Sequence, residues 1–508
     1  MWNKEALHHL VSTKLSDYQF LVVANREPYV HRYTPDRQLE WVSPASGMVS
    51  ALDPIMRACG GTWIAQGSGE ADRKSADERG HVAVPPDDPS YTLRRIWLTK
   101  EQENGFYYGL ANEGLWPLCH IAYTRPIFNP RHWRIYREVN QRFADAVVEE
   151  AGGKPTFVFV QDYHFALLPR MLKDAGNNFI VAQFWHIPWP NEETFGTFPW
   201  KEELLDGLLG NDLLGFHLRS HCQYFLNLAD RSLESKIDHE NDEIIRGGKS
   251  TLVRPFPISI DAEGHEAAAR SDAVERLMRR WIQQVGIGEE RVGIGIDRID
   301  YTKGIPERLR AIDFFLEMNP EYREHFVFVQ IGVPSRIQVR AYKLLDDEID
   351  GLIEEINWKW STENWIPIRY FKHSFNQMEL MALHRLADFC IVSSLHDGMN
   401  LVAKEFVASR FDEDGVLILS QFTGAAREQK DALLINPFAT EEMAEAIREA
   451  LEMPEEERRR RMQRMRAEVA GNNIFRWAGK IISALLKFDF SEDVRNEADM
   501  MASTPVQV

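Results

Sequence analysis

Short, β-rich apolar runs alternate with longer helical patterns along nearly the whole chain, and this rhythm confines the fold to parallel sheets covered by helices on both faces. In the first half the runs are 20–24, 62–65, 156–160, 180–185 and 213–216; in the second they are 292–296, 326–331, 366–371, 389–392, 416–419 and 432–435. At 508 residues the chain exceeds the length at which one hydrophobic core keeps growing. The segment Arg254-Pro255-Phe256-Pro257 separates the two series, so the expected architecture is α/β, with two Rossmann-like domains facing across a cleft.

Composition narrows the function classes. A 44% hydrophobic fraction supplies two cores, and a net charge of −18 argues against a nucleic-acid partner, whose phosphates demand a basic face. Cys59, Cys119, Cys222 and Cys390 are scattered without paired spacing, as expected of reduced thiols in a cytoplasmic protein. Lys4 and Glu5 near the start interrupt any signal-like apolar run, and no stretch approaches the roughly 20 apolar residues of a membrane helix.

Two segments carry chemistry. Asp397-Gly398-Met399-Asn400-Leu401-Val402-Ala403-Lys404-Glu405 joins the run 389–392 to a helical pattern through a polar turn. Free backbone N–H groups at such a turn, with the helix dipole, favour a phosphate. Glu405, one turn inside, can accept two hydrogen bonds from a ribose diol, with Leu401 and Val402 offering apolar contact. The bland alternative, a core helix capped by Asp397, stays open. In Asp297-Arg298-Ile299-Asp300-Tyr301-Thr302-Lys303-Gly304-Ile305-Pro306, Pro306 suits the first turn of a helix, which leaves Arg298 and Lys303 on a loop at a strand's carboxyl end. Two cations there can neutralise a departing diphosphate without a metal. They are equally readable as loop charges paired with Asp297 or Asp300.

With these motifs, and with Asn25-Arg26, Leu115-Trp116-Pro117, Asp162-Tyr163-His164, His186-Ile187-Pro188-Trp189-Pro190 and Ser420-Gln421-Phe422-Thr423-Gly424-Ala425-Ala426 in the same order, the chain resembles the retaining glycosyltransferases that make trehalose 6-phosphate, and their relatives that make glucosylglycerol phosphate. The resemblance implies a GT-B type fold: an acceptor domain over 1–255, a nucleotide-sugar domain over 256–471, a helix over 472–490 crossing back to the first domain, and a disordered tail over 491–508. The partners it implies are a nucleotide-glucose, with UDP-glucose favoured, and a sugar phosphate. It implies neither nucleic acid nor membrane, needs no cofactor or metal, and leaves a homo-oligomer open.

Residue by residue, the resemblance implies catalytic roles for Arg298, Lys303, Asp397 and His186. Arg298 and Lys303 would hold the donor diphosphate, the amides from Asn400 to Val402 would cap it, and Glu405 would take the ribose. Asp397, Gly398 and Met399 would hold the glucose, which His186 would reach from the first domain. Gly47 stands where the family carries paired glycines near the donor, its neighbour here being Ser46. Arg26, Tyr107, Trp116 and Asp162 would contact glucose 6-phosphate, with Arg336 joining Arg26 on its phosphate. Two departures stand out: Gln161 replaces the usual His before Asp162, and Asn25-Arg26-Glu27-Pro28-Tyr29 looks somewhat like the glucosylglycerol branch. Arg336 speaks for glucose 6-phosphate instead. A silent sugar-phosphate sensor is disfavoured because the donor residues are kept, and a nicotinamide oxidoreductase because no G-x-G-x-x-G follows the first strand.

Two further features are read as structural. His217 and His221 lie beside Cys222 without a second ligand cluster, so no metal site is expected. Arg458 to Arg461 follow Glu455 to Glu457, which makes a salt-bridged, solvated helix face.

Overall fold

The computed structural model describes residues 2–44, 47–176 and 178–486, in two compact units. The first takes in Met1–Cys119, Pro126–Ile258 and the described chain from Asn473 onward; the second takes in His120–Arg125 and Ser259–Asn472.

The first unit is built on a sheet in the order Lys236–Asp238, Glu243–Arg246, Lys249–Pro255, Leu213–Phe216, Phe179–Phe184, Thr156–Gln161, Gln19–Arg26, Thr62–Gln66, Tyr91–Ile96, His81–Val84. From Lys249–Pro255 to Tyr91–Ile96 all neighbours pair in parallel, and antiparallel strands close both edges. The chain starts mid-sheet at Gln19–Arg26, winds outward one way, then crosses to Thr156–Gln161 and winds the other way. Loops leaving these two strands diverge, which opens a crevice at Arg26 and Gln161.

The second unit has a wholly parallel sheet, Ile368–Phe371, Phe326–Val333, Arg291–Arg298, Phe389–Val392, Val416–Ser420, Leu433–Ile435, again wound outward from the middle. Here the winding reverses between Arg291–Arg298 and Phe389–Val392, the two strands that carry the sequence motifs. Both central strands are buried along almost their whole length, as strands covered on two faces must be.

All eleven apolar runs form strands, with ends moved by a residue or two. The sequence did not point to Val30–Tyr33, Leu39–Val42, His81–Val84, Tyr91–Ile96 or the strands between Lys236 and Pro255. Lys236–Asp238 and His81–Val84 are the two sheet edges, and Val30–Tyr33 pairs only with Leu39–Val42; in Tyr91–Ile96 the polar pair Arg94-Arg95 breaks the apolar run, yet Arg95 is fully enclosed. Its guanidinium donates to Glu27 (2.7 Å) and the Tyr29 carbonyl (2.9 Å) and lies 3.1 Å from Asp72. Buried charge paired in this way is tolerated where an isolated charge would not be.

The last described helix, Ile474–Leu486, lies in the first unit. Trp477 Nε1 donates to the Phe256 carbonyl at 3.1 Å, and its ring meets Phe159 and Phe184. The expected tail over 491–508 lies outside the described residues. Among the described residues no helix is long and apolar enough to cross a membrane.

Candidate active site

In the second unit, Arg298 ends its strand and the loop after it turns into helix Ile305–Met318, with Pro306 in the first turn as its fixed φ favours. Gly304 precedes that helix at φ +62, and a Cβ there would meet the Ser393 carbonyl oxygen at 2.2 Å. Only glycine lets this loop approach the one leaving Phe389–Val392 so closely. Across that contact Lys303 Nζ reaches Asp397 Oδ2 at 2.5 Å. Asn400 Nδ2 (3.2 Å) and Ser394 Oγ (3.3 Å) donate to the same oxygen. Burial alone would raise the Asp397 carboxyl; the Lys303 ammonium and the donated hydrogen bonds outweigh it and hold it below the usual carboxylate range. Asp397 is therefore an anion with one oxygen crowded by donors.

The turn itself is strained and braced. Asn400 sits at φ +81, and its side chain accepts the Ala403 N–H, so Asn400 and not Asp397 caps helix Leu401–Ser409. The Asp397 N–H donates to the Phe422 carbonyl and the Ala425 N–H to the Met399 carbonyl, while Gly424 packs where a Cβ would lie 2.0 Å from the Gly398 oxygen. Among the described residues, the backbone N–H groups from Gly398 to Val402 find no protein acceptor. Several free amides at one helix start make a cradle for an anion. Glu405, half-buried one turn on, has no protein donor on its carboxylate, and burial pushes its pKa up to about 7.

Of the two loop cations, Arg298 has a partner the bland reading offered, Asp300, whereas Lys303 pairs with Asp397 instead. Asp297 is taken by the enclosed Arg308 at 2.7 Å, and Arg308 also donates to Gln330 and Ser393. Asp300 accepts from the N–H and hydroxyl of Thr302 and from Arg336 at 3.1 Å, with Tyr342 beside both. Arg298 stands 3.9 Å from Asp300, the longest of these approaches, and remains 30% exposed. Arg336 thus lies in the second unit, at φ +48, with its guanidinium near the Tyr342 ring.

In the first unit, Arg26 leaves the central strand and donates to the Tyr107 hydroxyl at 3.1 Å. Tyr107 lies on the π-helical run Asn104–Leu115, whose wider turn sets its ring parallel to His164. Trp116 follows that run and packs on Tyr163. Asp162 adopts φ +69 directly after its strand, and its carboxylate accepts the His186 N–H at 3.0 Å. The His186 ring meets Gln161 Oε1 at 2.9 Å through Nε2, so Nε2 carries the proton and Nδ1 is left as an acceptor. Burial lowers the His186 pKa to about 3, which keeps the ring neutral. Gln161, a departure from the family pattern, is thus what sets the histidine's tautomer. Gly47 begins helix Gly47–Cys59; Ser46 lies outside the described residues.

The structure brings together Arg298, Lys303, Asp397, Asn400 and Glu405 in one unit, and Arg26, Tyr107, Asp162 and His186 in the other. Sequence reasoning missed Ser394, Asn400 as the cap, the bond of Gln161 to His186 and the Asp300–Tyr342 anchor. An Asn directly before an apolar helical run is a cap signal that could have exposed Asn400; the others depend on contacts between distant segments. His217, one of the doubtful metal ligands, spends Nε2 on the His186 carbonyl at 2.9 Å. Among the described residues no group of three or more His, Cys, Asp or Glu could hold a metal. Arg459 and Arg461 pair with Glu455 and Glu457, as the charge pattern suggested.

Two sheets wound outward from the middle, with charged side chains at both reversals and open amides at the second, define the class: an α/β protein with candidate ligand sites at strand carboxyl ends. Residues 18–487 match glycosyltransferase family 20, and the chain belongs to that family. It is similar to the trehalose-6-phosphate synthase of Mycobacterium marinum, at 37% identity over 477 residues, 92% of this chain and 94% of the relative. An E. coli structure bound with UDP-2-fluoro glucose has a TM-score of 0.81 at 28% identity, covering 93% of this chain and 99% of that one. The UDP-forming α,α-trehalose-phosphate synthase of Burkholderia xenovorans, in complex with glucose-6-phosphate, has a TM-score of 0.82 at 28% identity, covering 92% of this chain and 100% of that one.

Proposed function

We propose that the protein is a retaining glucosyltransferase that moves glucose from UDP-glucose to glucose 6-phosphate, giving α,α-trehalose 6-phosphate and UDP. The observation that carries this reading is the sheet reversal of the second unit, where Arg298, Lys303 and the open amides from Gly398 to Val402 form an anion site beside the ionised Asp397. Relatives of known substrates, covered nearly end to end, support the same reading.

In the proposed reaction the bond from the anomeric carbon to the leaving phosphate oxygen breaks, and the acceptor hydroxyl oxygen bonds to that carbon on the same face. The hydroxyl proton passes to the leaving phosphate. Arg298 and Lys303 take the charge that builds on that phosphate, and Asp397 holds glucose hydroxyls while its bond to Lys303 keeps the ammonium in place. Glu405 takes the ribose. His186, neutral with Nδ1 as acceptor, serves the sugar from the first unit, and Gly47 is assigned to the donor by family likeness. Arg26, Tyr107, Trp116 and Asp162 serve the acceptor, and Arg336 is assigned to the acceptor phosphate by family likeness. In this scheme most acceptor groups stand in the first unit and the nucleotide groups in the second, with His186 and Arg336 serving the opposite substrate.

Two fixed cations at the diphosphate make a metal unnecessary in this scheme. Free cysteines, with three of the four buried, favour a cytoplasmic enzyme. Within the glucosylglycerol-like segment, Glu27 is bound to Arg95 and Ser68 inside the first unit, which gives that residue a structural role. The test is to supply UDP-glucose and glucose 6-phosphate with EDTA present, and to follow UDP release and the anomeric configuration of the product. UDP release with an α-linked disaccharide phosphate is expected; an inverted product, or activity that needs an added divalent ion, would overturn the scheme.

A further inference from the structure

His396 immediately precedes Asp397, and neither the fold nor the proposed mechanism has yet given it a task. Its Nδ1 lies 2.8 Å from the backbone carbonyl of His120, the first residue of the short segment His120–Arg125 that belongs to the second unit. A carbonyl can only accept, so Nδ1 carries the proton. Burial lowers the His396 pKa below that of a free imidazole, so the ring bears one proton only and Nε2 presents a lone pair. The His120 ring stands edge-on to it at 6.4 Å, which leaves little freedom to turn. Among the described residues no protein group bonds Nε2, and that nitrogen is not among the enclosed polar atoms left without a partner. It is an oriented acceptor, open to a ligand, one residue from the carboxylate assigned to the glucose.

We propose that His396 Nε2 reads a hydroxyl of the transferred hexose, which makes His396 a donor-specificity residue whose tautomer is set by the His120 carbonyl. The proposal rests on the reading of Asp397 as the glucose-binding carboxylate. A hydroxyl that donates to Nε2 while accepting from a neighbour would be fixed in direction, and a sugar lacking it or holding it on the other face would leave a desolvated acceptor unmet.

Two substitutions separate recognition from support. The amide of glutamine places its polar atoms near where imidazole Nε2 lies, whereas the shorter asparagine reaches only the Nδ1 position. His396→Gln keeps an acceptor toward the sugar and His396→Asn keeps only the bond to the His120 carbonyl. The measurement is kcat/KM for UDP-glucose with glucose 6-phosphate saturating, together with binding of UDP, which carries no hexose, by calorimetry. We expect His396→Asn to lose about tenfold to a hundredfold in kcat/KM, as for one unmet hydrogen bond, with His396→Gln recovering most of it and UDP affinity unchanged in both. His396→Phe should resemble His396→Asn. If Asn recovers activity better than Gln, or if UDP affinity falls in parallel with kcat/KM, His396 is a structural support and the proposal is overturned. Wild-type protein that turns over no nucleotide-glucose would refute the proposed function itself, which is a separate outcome.

Discussion

At the scale of single residues, the donor site is a set of opposed electrostatic environments. Asp397 is held ionised by Lys303, whereas Glu405, equally close to the helix start but without a cation, has its pKa pushed up to about 7 by burial. Only the carboxylate form accepts both hydroxyls of a ribose diol at its two oxygens, so in the proposed role donor binding favours expelling the proton that Glu405 holds at lower pH. Since the raised group is protonated below its own pKa, UDP-glucose affinity should fall about tenfold per pH unit as pH drops below about 7. Titration calorimetry from about pH 8 to about pH 6 reads this directly; Glu405→Gln should bind weakly at every pH with that slope gone, and an unchanged slope in the variant would assign it elsewhere. Arg298 is a different case. Its side chain, 30% exposed at the end of its strand with Asp300 3.9 Å away, is the cation proposed to meet the charge that builds on the leaving phosphate. Arg298→Ala should lower kcat by about 10²–10³ while changing donor KM little; near-normal kcat with a raised KM would make it a binding residue only.

At the scale of elements, the contact between the two reversal loops is the weak point on which the site depends. Gly304 holds φ +62 against the Ser393 carbonyl, so Gly304→Ala must push apart the loops that carry Lys303 and Asp397. Its Tm should drop and its UDP affinity with it, since added strain in a left-handed position exceeds the roughly 0.4–1 kcal/mol a favourable Gly→Ala gains. A stable variant with normal UDP binding would show that the loops yield without cost to the site. The same elements show what was readable beforehand. Strand runs such as 292–296 and 326–331 were legible because strands buried on both faces must be apolar throughout. Tyr91–Ile96 was hidden by Arg94-Arg95, whose partners Glu27 and Asp72 lie far away in sequence. The sequence placed Arg298, Lys303, Asp397 and Glu405 at strand-to-helix junctions, and they stand there in the structure; their roles are proposals. The Lys303–Asp397 pairing and the Gln161–His186 bond were not legible, because each depends on register between separate segments, whereas the Asn400 cap is local and was overlooked.

At the scale of the whole molecule, each unit repeats one plan: a largely parallel sheet wound outward from the middle, with the proposed ligand groups at the reversal. The division of labour proposed here gives the sugar-phosphate acceptor to the unit of Arg26, Tyr107, Trp116 and Asp162, and the nucleotide to the unit of Arg298 and Asp397. Acceptor choice is the central claim, because the donor machinery would serve a three-carbon acceptor equally well. Groups placed to hydrogen-bond a hexose ring lose their partners when the ring is missing, and such sites discriminate strongly. The most direct measurement is kcat/KM for glucose 6-phosphate against glycerol 3-phosphate, with UDP-glucose saturating and the phosphorylated product identified by NMR. The account predicts a wide preference for glucose 6-phosphate and α,α-trehalose 6-phosphate as product; equal or faster turnover of glycerol 3-phosphate would contradict it.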